Sequence, residues 1–313
     1  MKYFITGGAG FIGSNLVDRL ISERHSVTVY DNFSSGNEEF IKYPYNNHLF
    51  KYIKADLLDK EKIIKTMKGH NIVFHFAANP DIARSMVETD LDLRLGIIVT
   101  YNVVEAMRIN NIKKIAYSSG SGIYGDVGLV ETGENFGPLM PISMYGASKL
   151  GGEAIISAFC HMFDMKAWIF RFANVVGKRQ THGVGYDFIR KLKANTKKLE
   201  ILGDGSQSKS YIYINDAIDA MLFVMEKSNE KVNVFNIATD DYITVNEIAE
   251  VVIEEMGLKD VELIHTDGKR GWKGDVPIVR FDLTKIHNLG WKAKYNSHEA
   301  VLKSVKLLLE EIN

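Results

Sequence analysis

The chain of 313 residues has one cysteine, Cys160, and five prolines. One thiol excludes an intramolecular disulfide and any metal cluster built from cysteines, and it fits a reducing compartment. With so few prolines there is no proline-rich linker between autonomous halves, and no internal repeat is visible. Neither sign of charge is in excess: 38 basic residues stand against 39 acidic ones, for a net charge of −1. No basic surplus is available to neutralise a nucleic-acid backbone. No apolar run approaches the roughly 18 residues of a membrane span. The amino terminus, Met1 to Thr6 followed by glycines, lacks the apolar core of a signal peptide and reads as a first strand. The expectations are no nucleic acid, no membrane and a cytoplasmic location. The nine histidines show no metal-ligand spacing, so no metal is expected.

What the chain does have is core material: 46% of its residues are hydrophobic. Short apolar runs alternate with helix-length segments. Strands are expected at Phe4-Ile5, Val27–Tyr30 ending at Asp31, Leu49–Ile53, Ile72–Phe76, Lys114–Ser118 and Ala167–Phe172. Apolar strands separated by helices predict an α/β fold with a doubly wound parallel sheet, which binds ligands at the carboxyl ends of its strands. After Asn174 the pattern loosens into glycine turns, a strand-like Tyr211–Ile214 and helical patches at Asp216–Glu226 and Val245–Met256. The expected domains are 1–174 and a smaller α/β annex at 175–313, with some segments returning to the first.

Thr6-Gly7-Gly8-Ala9-Gly10-Phe11-Ile12-Gly13 falls between the first strand and a helix. A side chain at Gly7, Gly10 or Gly13 would block the tight turn, the approach of a pyrophosphate or the packing of helix on strand. The helix start offers N–H groups and partial positive charge to an anion. Asp31 ends the second strand, eighteen residues after Gly13. A carboxylate there accepts from ribose hydroxyls and repels a 2′-phosphate. With no arginine directly after it, NAD is expected over NADP. Asp56, ending the third strand, reads equally as an acceptor for the adenine amino group or as a helix N-cap.

Tyr145 and Lys149 lie four apart, on one face of a predicted helix. Tyr-x-x-x-Lys arises often by chance as a surface pair, but together with the glycine turn and Asp31 it points to chemistry. A phenol titrates near 10, too high for a base at neutral pH. A neighbouring ammonium and a cationic nicotinamide both favour phenolate, so a lowered value is expected.

Together, the glycine turn, Asp31-Asn32, Asp56-Leu57, Phe76-Ala77-Ala78 and Tyr145-x-x-x-Lys149 resemble the extended short-chain dehydrogenase/reductase superfamily, over nearly the whole chain. Ser118–Gly125, Arg171–Gly177, Leu202–Gly205 with Tyr211–Asp216, Gly274-Asp275 and Leu289-Gly290-Trp291 narrow this to NAD-dependent nucleotide-sugar epimerases and dehydratases, most like the UDP-glucose 4-epimerases. The resemblance implies a Rossmann domain with a nucleotide-sugar-binding domain. It implies NAD contacts at Gly7, Gly10, Phe11, Ile12, Gly13, Asp31, Asn32, Ser35, Gly36, Asp56, Leu57, Phe76, Ala77, Ala78, Ser118, Tyr145, Lys149 and Phe172. Substrate contacts are implied at Ser119, Asn174, Lys209, Tyr211, Arg270 and Asp275. Tyr145, Lys149 and Ser121 are the implied catalytic residues, with Lys149 lowering the tyrosine pKa. The implied reaction takes hydride from C4 of a UDP-hexose and returns it to the other face. Other implied readings are a reductase or decarboxylase of the same family, or an NAD-binding scaffold.

The sequence departs from that pattern at several points. Gly120 stands where the family carries its reactive Ser or Thr, so Ser121, Ser119 or a water must replace that hydroxyl. Gly96 replaces an asparagine, Lys209-Ser210 an Arg-Asp, and Trp272 a frequent arginine. The acid pair of the 4,6-dehydratases is absent, its positions being Ser121 and Gly122, which disfavours elimination. By the resemblance, Val279 stands at a position bulky in hexose-restricted relatives, so room for an N-acetyl group is expected there. Leu93 to Met107 and Leu150 to Met162 carry apolar residues at helical spacing. By the resemblance they pair across a homodimer as a four-helix bundle.

Overall fold

The apolar run after Lys2 forms β1 (Lys2–Thr6), buried from Tyr3 onward. Equally apolar runs form β2 (Ser26–Asp31), β3 (Phe50–Lys54), β4 (Ile72–His75), β5 (Lys114–Gly120) and β6 (Lys166–Phe172). A computed structural model describes residues 1–42, 47–266 and 268–312. The strands order as β3-β2-β1-β4-β5-β6, with a seventh strand, Val232–Ile237, beside β6. Neighbours from β3 through β5 pair in parallel. Between β1 and β4 the direction of chain progress reverses. Such a switch point opens a crevice at the carboxyl ends of the strands. The seventh strand escapes the sequence reading because only alternate positions of its first half are buried, as at a sheet margin.

Four helices of this sheet matter for the site: α1 (Phe11–Ser22), α2 (Lys60–Met67), α3 (Val99–Ile109) and α4 (Met144–Met162). Phe4, Val73, Ile115 and Tyr117 of the sheet pack with Val103, Val104 and Met107 of α3 and Ile156 and Cys160 of α4. Burying each large apolar side chain contributes about 1.5–3 kcal/mol. Burial pushes the Cys160 thiol up to about 11, so it behaves as a small core hydrophobe. The predicted helix from Leu93 to Met107 is not uniform. Leu93–Ile98 forms a π turn before α3 begins. Thr100 donates to the Gly96 carbonyl there, and such turns recur at functional sites.

By internal contacts the chain forms two units. One holds Met1–Ile123, Ser143–Arg171 and Met225–Phe235; the other holds Tyr124–Ile142, Phe172–Val224 and Asn236–Asn313. The second contains parallel pairs of Asn174–Val176 with Tyr211–Tyr213 and of Lys198–Ile201 with Glu262–His265. Ile214, predicted as the end of a strand, instead starts the helix Ile214–Lys227. The helix Ser297–Glu311 begins on an Asn296–Glu299 capping box.

His75, closing β4, is wholly buried. Its Nδ1 lies 2.7 Å from Thr6 Oγ1 and its Nε2 3.0 Å from Thr100 Oγ1. Thr100 spends its proton on the Gly96 carbonyl, so it accepts from Nε2–H and leaves Nδ1 to accept from Thr6. Burial, with Lys149 nearby, holds this imidazole neutral down to about 3. The unfolded chain protonates His75 near 6.5 and the folded chain does not, so this residue's share of stability is intact above 6.5 and lost as pH falls below it. Between pH 7 and pH 5 the loss is about 2 kcal/mol. Urea unfolding of the wild type and His75→Gln at both pH values measures it. The wild type should lose about that much more than the variant, and equal losses refute the assignment.

Candidate active site

The turn after β1 is a cradle that side chains would fill. Gly7 sits at φ +68°, and a Cβ on it would lie 2.6 Å from Ala77 N, which ties the turn to the end of β4. A Cβ on Gly13 would lie 2.3 Å from the Gly7 carbonyl oxygen. Gly10 caps α1 without a side chain, so no side-chain acceptor covers the N–H groups of the first turn. Asp31 ends β2 beside them, accepting from Ala9 N–H at 3.0 Å and Phe33 N–H at 2.8 Å. Burial raises its pKa, and those two N–H bonds oppose the rise. The Asn32 N–H opposes it as well, and the carboxylate still has acceptor capacity for a ribose hydroxyl. Gly36 lies against the same group: a Cβ there would stand 3.1 Å from Asp31 Oδ1.

Asp56 accepts from Asn32 Nδ2 at 2.9 Å and from Leu58 N–H at 2.8 Å. It does not cap the following helix; Asp59 caps α2. Leu57 is buried, its carbonyl accepting from Asn102 Nδ2. Phe76, Ala77 and Ala78 follow β4 half-buried, and Ser35 is exposed. Thus Gly7, Gly10, Gly13, Asp31, Gly36 and Ala77 come together around one turn, with Asn32 and Asp56 joined beside them. Phe11 and Ile12 open α1, and Phe172 is buried at the end of β6. Cradle, uncapped helix start and ribose carboxylate together match the shape and charge of a dinucleotide.

The second constellation stands on α4. Ser143 caps the helix by accepting from Gly146 N–H at 3.1 Å. Lys149 is buried and donates to the Ser118 carbonyl at 2.7 Å and Ser118 Oγ at 3.4 Å. Its Nζ lies 5.5 Å from the Tyr145 ring centre and 5.1 Å from that of Tyr117. Burial lowers Lys149 to about 8, against the upward pull of Asp92 and Glu153. Tyr145 is half-buried. Its phenol is raised to about 12, first by desolvation and then by Asp92. This corrects the expectation of a phenol already lowered by Lys149: in the protein alone, desolvation and Asp92 set its direction.

Asp92, which sequence reasoning missed, is buried just before the π turn. Asn79 Nδ2 donates to it at 3.1 Å, and Ser85 Oγ also bonds it. No spacing signal marks it. Glu153 was also missed, although residues 145, 149 and 153 share one helical face. Gly96 finds its reason here: a Cβ on it would lie 2.5 Å from Ser148 Oγ, in the turn between Tyr145 and Lys149. Ser119 is buried, and its hydroxyl has no hydrogen-bond partner among the described residues. Ser121 is half-buried in the short helix after β5.

In the second unit, Asn174 and Tyr211 are register partners, and an Asn174 hydrogen bond partly offsets the burial that raises the Tyr211 phenol. Lys209 donates to the buried Asp275 at 2.8 Å. Arg270 is not joined to them through its side chain; its guanidinium pairs with Asp126 at 2.6 Å. Among the described residues no group of three His, Cys, Asp or Glu could hold a metal ion, and no helix is long and apolar enough to cross a membrane.

Comparison with known proteins agrees with this geometry. A UDP-glucose 4-epimerase of Mycolicibacterium smegmatis is 30% identical over 314 residues, covering 98% of each chain. A crystal structure of a UDP-galactose 4-epimerase superposes with a TM-score of 0.90 at 36% identity, covering 100% of both chains. A UDP-glucose 4-epimerase of Thermotoga maritima, solved with UDP-glucose, gives 0.90 at 32% identity, again covering 100% of both. The model of the NAD dependent epimerase/dehydratase family matches residues 3–238. The dinucleotide that the cradle and Asp31 fit is therefore NAD, and the chain belongs to the NAD-dependent epimerase/dehydratase family.

Proposed function

We propose that the protein epimerises a UDP-hexose at C4, interconverting UDP-glucose and UDP-galactose. The observation that carries this reading is the seating of Tyr145 and Lys149 on one face of α4, with Lys149 fixed against Ser118 at the sheet's ligand edge. Full-length similarity to proteins named UDP-galactose and UDP-glucose 4-epimerases supports it. Bound NAD supplies a reversible acceptor for the C4 hydride and its two electrons. Tyr145 takes the proton of the sugar 4-hydroxyl on its phenolate oxygen as the C4–H bond breaks, and returns it when hydride reaches the opposite face of the ketone. Protons and electrons balance over the cycle, so no outside oxidant is consumed.

Lys149 supplies fixed positive charge near the phenol, and its bonds to Ser118 leave one ammonium proton for a ribose hydroxyl. Ser121 is the proposed hydroxyl in place of the one missing at Gly120. Its half-exposed position suits a substrate contact better than that of enclosed Ser119. Asn174, Lys209 and Tyr211 are the proposed contacts of the substrate's nucleotide. Lys209, already aimed by Asp275, meets phosphate oxygens as a point charge without an arginine's fork.

A second copy of the chain is the proposed partner. Leu93, Ile98, Tyr101 and Met162 remain exposed on the π turn, α3 and α4, and a second copy would cover them.

Purified protein supplied with UDP-galactose and no added NAD should form UDP-glucose. Tyr145→Phe should lower kcat by about 100-fold or more while heat-released NAD stays equal to wild type. Undiminished turnover in that variant, or no turnover of any UDP-hexose by a wild type that retains NAD, refutes the reading. Light scattering should give a dimer for the wild type and a monomer for Tyr101→Glu. A monomeric wild type, or a dimeric variant, removes the proposed interface.

A further inference from the structure

Lys149 sits in a buried array of charges. Glu153 follows it by one turn of α4, and the spacing places both on one face. Glu153 and Arg171 are 6% and 4% exposed. The guanidinium meets the carboxylate as a fork: Nε donates to Oε1 at 3.1 Å and a terminal nitrogen to Oε2 at 2.8 Å. A two-point pair holds both groups in one plane. Asp92, held by Asn79 and Ser85, also favours the charged form of Lys149. The array thus contains two cations, Lys149 and Arg171, and two carboxylates, Asp92 and Glu153. Tyr117 on β5, His75 on β4 and Tyr145 on α4 complete the titratable groups facing the ammonium.

A buried ion pair is seldom kept for stability, since apolar replacements of similar volume are often as stable. This pair lies one turn beyond the lysine on which the proposed chemistry turns. We propose that Glu153, clamped by Arg171, is a positioning residue that keeps the Lys149 ammonium charged and seated against the Ser118 carbonyl. Glu153 touches neither substrate nor cofactor in this role; it acts through Lys149. The proposal rests on Lys149 as the working cation but not on which sugar is turned over. The carboxylate offsets part of the burial that lowers Lys149, and the fork stops Glu153 from swinging onto the ammonium itself.

The test is direct titration of Lys149 in purified holoenzyme labelled with ¹³C-lysine, its resonance assigned by loss in Lys149→Met. Glu153→Gln should lower the Lys149 midpoint by about one pH unit or more. The alkaline limb of kcat should move down with it. Glu153→Asp, which keeps the charge, should leave the midpoint near that of wild type. If Glu153→Gln fails to fold, the double variant Glu153→Leu/Arg171→Met replaces the pair with apolar side chains. Its midpoint should still differ from wild type, because the fork and both its charges are gone. An unmoved midpoint in whichever of these variants folds overturns the proposal, whatever happens to kcat. A moved midpoint with no turnover of any UDP-sugar leaves the proposal standing and overturns the epimerase reading instead.

Discussion

The ligand edge of the sheet depends on one buried ammonium. Moving Lys149 out of water costs several kcal/mol unless its protons and charge find partners. The Ser118 carbonyl at 2.7 Å takes one proton, and Asp92 and Glu153 provide opposing charge. These partners meet only if α4 presses hard against β5 and the π turn. Glycine makes that possible at three contacts. A Cβ on Gly152 would lie 2.3 Å from the Tyr117 hydroxyl, one on Gly151 2.9 Å from Ile97 Cδ1, and one on Gly96 2.5 Å from Ser148 Oγ. Tyr145 is carried to the same edge because it shares the helix. At Gly96 the lack of a side chain gives α4 this closer seat.

The same closeness sets up an opposition. Burial pushes phenol and ammonium toward their neutral forms, Tyr145 up to about 12 and Lys149 down to about 8. Asp92 favours the charged lysine but disfavours the charged tyrosine. The chain's own residues therefore keep the phenol protonated at neutral pH. Ionisation needs additional positive charge beside Tyr145, which in the proposed reaction the bound cofactor would supply. In the proposed reaction, a base made ready only by its redox partner would have little tendency to deprotonate a sugar without it.

Much of this was legible in the chain because the relevant constraints are local. The glycines at 7, 10 and 13 announce a turn that tolerates no Cβ, and contacts of 2.3 to 2.6 Å at Gly13 and Gly7 are the physical content of that spacing. Asp31 and the 145–149 pair were readable for the same reason, each lying at a set distance from a recognisable element. Asp92 was not, since its partners Asn79 and Ser85 are brought to it by tertiary folding. The π turn was hidden because its apolar residues also fit ordinary helical spacing. The phenol's upward shift was misjudged because a sequence names charged neighbours but not burial, and burial is the larger effect. Gly120 shows the reverse case: a departure from a motif was plain, while the proposal of Ser121 over Ser119 rests on Ser119 being enclosed and Ser121 half-exposed.

The second unit meets the proposed diphosphate with cations that are already paired. Arg270 is held by Asp126, and Lys209 by Asp275. At long range these pairs nearly cancel, and with a net charge of −1 the chain exerts little pull on a distant anion. Binding must then come from short contacts. Lys209 suits this better than its pairing suggests. An ammonium has three donors, and Asp275 takes one. Asp275 is itself fixed through its other oxygen by Gly271 N–H at 3.1 Å, so it aims the lysine. The Trp272 ring, 5.7 Å from Nζ, flanks the same ammonium. In the proposed site, one oriented ammonium beside an aromatic face would meet the phosphate as a point charge, without an arginine's fork. Such a contact would tolerate shifts of a phosphate that a bidentate fork resists, which leaves the proposed choice of sugar to groups nearer the reacting carbon.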